Sequence, residues 1–161
     1  MGDWSSWKEI SRIDEVAVRF RCPGVYKIRL ADQQEKAMPI PRFLGADKEG
    51  LLAIGESKNL SRRIRQFYRA YSGQSFRHSV AERLFLLLFK WINSGSTVKT
   101  SRLEFSCMKL RDKAEAQTAE EMLLKTYFKK FGELPPLNSS LPDKHVDWRK
   151  ILIPRRKESV N

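Results

Sequence analysis

An α/β fold of the α+β kind, a small antiparallel sheet of three strands with room for a fourth and helices packed against it, is predicted by three patterns. Val25 to Leu30 alternates with the two-residue period of a strand. Leu51 to Ile54 is a short apolar run halted at Gly55, as a buried strand would be. Leu60 to Tyr71 and Ala116 to Tyr127 repeat their apolar residues at helical spacing. A chain of 161 residues reads most simply as one domain spanning 1–161, with its core over about 23–138.

Taken in order, Trp7, Ile10 and Ile13 recur among charged residues and predict an amphipathic helix over 5–16. Cys22-Pro23-Gly24 breaks the chain before the first strand, on which Tyr26, Ile28 and Leu30 share the core face and Val25, Lys27 and Arg29 the half-exposed one. Ala31 to Pro41 reads as a loop leading to a second strand at about Arg42 to Gly45. The run Ala46-Asp47-Lys48-Glu49-Gly50 then turns the chain, making Leu51 to Ile54 the return arm of a hairpin.

Ser57 and Asn59 stand where a helix cap is wanted. Beyond them Leu60, Ile64, Phe67, Tyr68 and Tyr71 form one stripe of a helix and Arg62, Arg65 and Arg69 another. Ser79 to Ile92 is apolar enough on most sides to be a buried helix, and Ser101 to Leu110 alternates as a further strand. Asp112 and Glu115 fit a capping box that opens a helix stopped at Gly132. After the irregular run ELPPLNSSLP, a short helix around His145 to Leu152 precedes the end of a basic tail over 143–161.

The apolar share of 41% and the charged share of 31% suit a soluble globular protein, but a net charge of +12 is strongly basic. It favours a polyanionic partner, and nucleic acid over a membrane, because no lipidation motif or long amphipathic anchor accompanies it. The longest apolar run, Leu84 to Phe89, is far short of a membrane span. Two cysteines, Cys22 and Cys107, make neither a disulfide framework nor a zinc cage. Together with the absence of a signal-like start, they predict a cytoplasmic, reducing setting.

The stripe of arginines has two readings, a solvated helix face or a phosphate-binding one. The second gains from the position of the helix start, where first-turn N–H groups together with Lys58, Arg62 and Arg63 would surround one spot suited to a phosphate. Lys58, Arg62, Arg65 and Arg69 are therefore the candidate nucleic-acid contacts. His78 reads as a loop histidine rather than a base.

Gly24-Val25-Tyr26, then Ala53-Ile54-Gly55, then Asn59-Leu60 and Arg63 on a helix, Glu120 on a later helix and Pro136-Leu137-Asn138 follow one another in an order that resembles the GIY-YIG nuclease superfamily. The resemblance covers about Pro23 to Asn138. It implies a small antiparallel sheet flanked by helices, with a catalytic face made of Tyr26, Arg63, Glu120 and Asn138. It also implies a single divalent ion, Mg²⁺ or Mn²⁺, held by Glu120. The family's glutamate precedes an apolar pair by three residues, here Leu123-Leu124, which selects Glu120 over the adjacent Glu121.

The residue types suit the reaction in their own right. Phosphodiester hydrolysis needs charge stabilisation on non-bridging oxygens, which Arg63 could supply by a planar fork and a carboxylate-held cation could share. Two positions depart from the family pattern: Ala53 replaces the second motif's tyrosine, so removal of a proton from water would fall to Tyr26 alone or go through a metal-bound water, and Glu56 stands where a basic residue is common. The expected function is a metal-dependent endonuclease, with DNA favoured over RNA. The alternative is a nucleic-acid binding module that has lost cleavage. No separate reader domain is visible, so target choice would need a homodimer, a partner protein or loops such as Ala31 to Pro41.

Overall fold

The computed structural model describes residues 2–72, 74, 84 and 102–139. The helix expected over 79–92 (Leu84 apart), His78, the short helix around 145–152 and the basic tail over 143–161 lie outside them. The architecture is mixed α/β, built on a four-stranded antiparallel sheet and a separate two-stranded ribbon. Among the described residues the strands are β1 (Lys8–Glu9), β2 (Gly24–Ala31), β3 (Ile40–Arg42), β4 (Gly45–Asp47), β5 (Leu51–Ser57) and β6 (Arg102–Lys109). Three α-helices accompany them among the described residues: α1 (Ile13–Val16), α2 (Leu60–Tyr71) and α3 (Lys113–Phe131).

The sheet order is β1-β6-β2-β5, which makes β2 central and β5 an edge. Tyr26, Ile28 and Leu30 of β2 join Phe105 and Cys107 of β6 and Leu60, Ile64 and Phe67 of α2 in one buried cluster. The opposite face is covered as well: Val25 and Met108 pack with Ala119, and Leu51 and Ile54 pack with Leu124, Tyr127 and Phe131 of α3. The face of β2 expected to be half-exposed is thus mostly sealed. Its Arg29 lies over the Trp7 ring and pairs with the buried Glu104 at 2.7 Å.

Two expectations are corrected. The N-terminal helix over 5–16 is not formed. Lys8 and Glu9 pair with Phe105 and Glu104, a 3₁₀ turn takes Ile10–Arg12, and regular helix is confined to Ile13–Val16. The free edge of β6 explains this, since its backbone needs partners and an extended N-terminal segment supplies them. Ser5 donates its N–H to the Cys107 carbonyl at 2.8 Å, and the Cys107 N–H donates to Ser5 Oγ at 3.0 Å. Ile10 and Ile13 reach the core all the same.

The second correction concerns the hairpin. Leu51–Ser57 does not pair with a strand at 42–45; it pairs with β2, matching Tyr26 to Gly55 and Ile28 to Ala53. The intervening chain folds on itself as the β3–β4 ribbon, with Phe43 and Leu44 at its tip. Pro41 lacks the N–H a sheet interior requires, whereas β5 is apolar on both sides and gains most where helices cover both faces. Asp47 closes the turn before β5, accepting the N–H groups of Glu49 and Leu51 and the Tyr127 hydroxyl. Gly50 there adopts φ +65°, open to glycine at little cost.

Both long helices are capped by the residues the sequence marks. Asn59 Oδ1 accepts the Arg62 N–H at 2.9 Å, and Asp112 Oδ1 accepts the Glu115 N–H at 2.9 Å. Gly132 ends α3 in the left-handed conformation at φ +74°.

Candidate active site

The path from β5 into α2 sets the site. Gly55 is opposite Tyr26, and a Cβ at residue 55 would stand 2.4 Å from Tyr26 Oη and 2.5 Å from Cζ. The missing side chain is therefore what lets the phenol lie across the edge strand. There the Tyr26 hydroxyl accepts a hydrogen bond from Arg63 Nε at 3.4 Å, at the close of the first turn of α2. Glu120, half-buried on the α3 side of the sheet, feels the charges of Glu56 and Arg63, and the Glu56 backbone N–H favours its ionised form. Tyr26, Glu56, Arg63 and Glu120 thus converge from four elements at the edge of the sheet.

Their electrostatics are unequal. Glu120 is pushed up from 4.5 to about 7, first by burial and then by the charge of Glu56; the Glu56 N–H and Arg63 pull the other way. Burial also raises the Tyr26 phenol above its ordinary value of 10, outweighing Arg63. Burial thus works against a phenolate and Arg63 works for it, while the hydrogen bond sets the Tyr26 hydroxyl against the Arg63 guanidinium. The Oε2 atom of Glu56 is buried with no hydrogen-bond partner.

Outside this cluster opens a cleft of about 750 Å³, lined by Glu56, Lys58, Arg62, Arg63, Gln66 and Lys113 along with Ser57 and Asn59. Four of these are cations. Lys113, the first residue of α3, carried no signal in the sequence beyond its charge, because only folding brings it beside α2. Glu56 was visible but read as a departure; its role as a second acidic group depends on the approach of α3.

The other sequence candidates are distributed differently. Arg65 turns away from the cleft to pair with Asp14 at 2.7 Å, and Arg69 is exposed farther along α2 without lining it. The first turn of α2 has little backbone to offer a phosphate. Leu60 N–H donates to the Cys22 carbonyl, Arg62 N–H to the Asn59 side chain and Arg63 N–H to the Asn59 carbonyl. Glu121 faces away and pairs with Lys125.

Asn138 is bound to β5 rather than directed at the cleft. Its Oδ1 accepts the Ile54 N–H at 3.0 Å and its Nδ2 donates to the Ile54 carbonyl at 2.8 Å, while Leu137 N–H donates to the Leu52 carbonyl at 2.9 Å. The side-chain amide acts as one further rung on the edge strand, next to Gly55 and Glu56. Asn138→Ala leaves a donor and an acceptor of the buried Ile54 unpaired, and urea unfolding should show a loss of about 1–3 kcal/mol.

No protein-family model, no curated protein and no solved structure matches this chain. Among the described residues no helix is long and apolar enough to cross a membrane.

Proposed function

We propose that the chain is a metal-dependent endonuclease of the GIY-YIG type, hydrolysing phosphodiester bonds of nucleic acid, DNA above all. The observation that carries this reading is the convergence of Tyr26, Arg63 and Glu120 beside a cleft whose rim holds Lys58, Arg62 and Lys113. In this reading the rim cations hold phosphates on either side of the scissile one. Arg63 forks onto its non-bridging oxygens, with its guanidinium oriented by the Tyr26 hydroxyl. The free Cys22 and Cys107 accord with a reducing, cytoplasmic setting.

The donor set suits a hard divalent cation. Glu120 offers oxygen donors, and the buried Glu56 Oε2, which has no hydrogen-bond partner, adds a negative charge that Mg²⁺ or Mn²⁺ would neutralise. Among the described residues no group of three or more His, Cys, Asp and Glu side chains assembles, so water and phosphate oxygens would complete the shell. When bound, the ion supplies electrophilic stabilisation of the phosphoryl oxygens.

Incubating the purified protein with labelled duplex, branched and single-stranded DNA and RNA in Mg²⁺, Mn²⁺ or EDTA tests the proposal. Cleavage confined to the metal arms is expected. Binding without cleavage in every arm would instead select the second reading, a binding module. Ala53 favours that alternative: it is buried opposite Ile28 and carries no hydroxyl of its own.

Replacing Lys58, Arg62 and Lys113 together by alanine should lower the salt slope of duplex binding by about 2–3 units, at roughly 0.9 per phosphate contact. Arg65→Ala should leave the slope unchanged because that side chain is committed to Asp14. Tyr26→Phe should reduce turnover by about tenfold, the scale of one hydrogen bond to a charged group, with the shape of the pH profile retained. Disappearance of a limb of that profile would mark the tyrosine as the base.

A further inference from the structure

We propose that the β3–β4 ribbon is a second nucleic-acid contact, with Phe43 at its tip inserting between neighbouring bases as an apolar wedge. This rests on the nucleic-acid part of the preceding reading and not on cleavage. Phe43 is 84% exposed and its neighbour Leu44 55%. A lone apolar side chain on a surface needs no explanation. Two in succession at a hairpin tip do, because that position is ordinarily taken by polar turn formers and glycine. The turn itself does not ask for them, since Gly45, at φ +104°, supplies the left-handed step.

The tip is anchored through its backbone. Phe43 N–H donates to Glu133 Oε1 at 2.7 Å and Leu44 N–H to the Phe131 carbonyl at 3.2 Å, while Arg42 pairs with Glu133 at 3.1 Å. Leu44 leans on Gly132, where a Cβ would stand 3.1 Å from its Cδ1. The main chain of the tip is thus tied to the end of α3 while the Phe43 ring is left in solvent, so little ordering entropy remains to be lost when the ring is covered.

Charge decides what covers it. The last turn of α3 carries Lys129 and Lys130, and Lys48 directly follows β4; all three are exposed, and none forms an ion pair among the described residues. Lysine is depleted from protein–protein interfaces but suits a surface that lies against phosphates. One ring and one leucine offer less apolar area than a stable membrane anchor needs. A phenylalanine driven into a base step with cations on the adjoining phosphates fits both features. From Lys113, on the cleft, to Phe131, which anchors the tip, α3 rises about 27 Å, so the ribbon meets bases away from the phosphates held in the cleft. A wedge of this kind selects steps that open easily, pyrimidine–purine above all, instead of reading base edges.

The test uses duplex DNA carrying 2-aminopurine at successive positions, with binding followed by anisotropy and unstacking by the rise in probe fluorescence. The full chain should raise the fluorescence at a single base step. Phe43→Ala should abolish that rise and weaken binding about fivefold or more, the low end for one base–aromatic stack, with an unchanged melting temperature. Phe43→Trp should keep the rise. A rise that survives Phe43→Ala would overturn the inference. Duplex bound with no rise at any position would overturn it and leave the nucleic-acid reading standing, whereas a parent chain that binds no duplex would defeat both. Loss of self-association in sedimentation, or of binding to phosphatidylserine vesicles, in a Phe43→Ala variant with the parent's 2-aminopurine signal would assign the tip to a protein or a membrane and overturn the inference.

Discussion

Glu120→Gln is expected to abolish metal-dependent cleavage to the limit of detection while leaving affinity for duplex DNA within about twofold. The amide preserves the shape of the side chain but removes the anionic charge that retains a hard cation, and the phosphate contacts lie on other residues, Lys58, Arg62 and Lys113. Single-turnover cleavage and fluorescence anisotropy, run on the same preparation, separate the two effects. Glu121→Gln is the control, because Glu121 is paired with Lys125 instead. If Glu121→Gln were the inactive variant, the facing surface of α3 would have to be redrawn by one residue.

The same substitution has a signature in the metal-free protein. Glu120 holds its proton up to about pH 7 when folded, whereas its ordinary value is 4.5. Between these two values the unfolded chain releases a proton that the folded one keeps, so stability is fully present below 4.5 and declines as pH rises to about 7. Glu120→Gln removes that decline. Relative to the parent in EDTA, the variant should gain on the order of 1 kcal/mol between pH 5 and pH 8, the figure being reduced because the carboxylate is only partly screened from water. Parallel stability curves across that range would place Glu120 in solvent and away from Glu56.

Arg63→Ala should lower turnover by about 100- to 1,000-fold, the range for losing one preorganised donor to a developing negative charge. Arg63→Lys should recover little of it. An ammonium restores the charge but not the planar fork, in which Nε stays on Tyr26 Oη while the two terminal nitrogens face a phosphate. Folding should survive either change, because the core of α2 is made by Leu60, Ile64 and Phe67. Equal activity of the lysine variant and the parent would mean that Arg63 acts only as a positive charge, and the orienting role of Tyr26 would fall with it.

Local chemistry was legible in the chain itself. The alternation of β2 and β6, the apolar stripe of α2, the caps at Asn59 and Asp112 and the left-handed stop at Gly132 depend on neighbours a few residues apart, and each is where the sequence indicates. Their physical basis is short-range: backbone hydrogen bonds at helix ends and the period of side-chain exposure. The positions of Tyr26, Arg63 and Glu120 within these elements were equally readable, as was the basic character of the helix between them.

What the tertiary structure decided were choices between partners of similar local merit. Leu51 to Ile54 could pair with either upstream strand; β2 wins because helices on both faces of the central sheet bury both sides of β5. The Lys8–Glu9 segment extends because the β6 edge offers hydrogen bonds that a lone helix of that length could not match. The arginines of α2 were equivalent by spacing, yet Asp14, from a distant part of the chain, takes Arg65 while Arg62 remains on the cleft with Lys113. Glu56 reads as an isolated acidic substitution until α3 sets Glu120 against it. A charge has no fixed meaning in a sequence; its pairing and its burial come from residues scores of positions away, and those are settled only when the sheet is assembled.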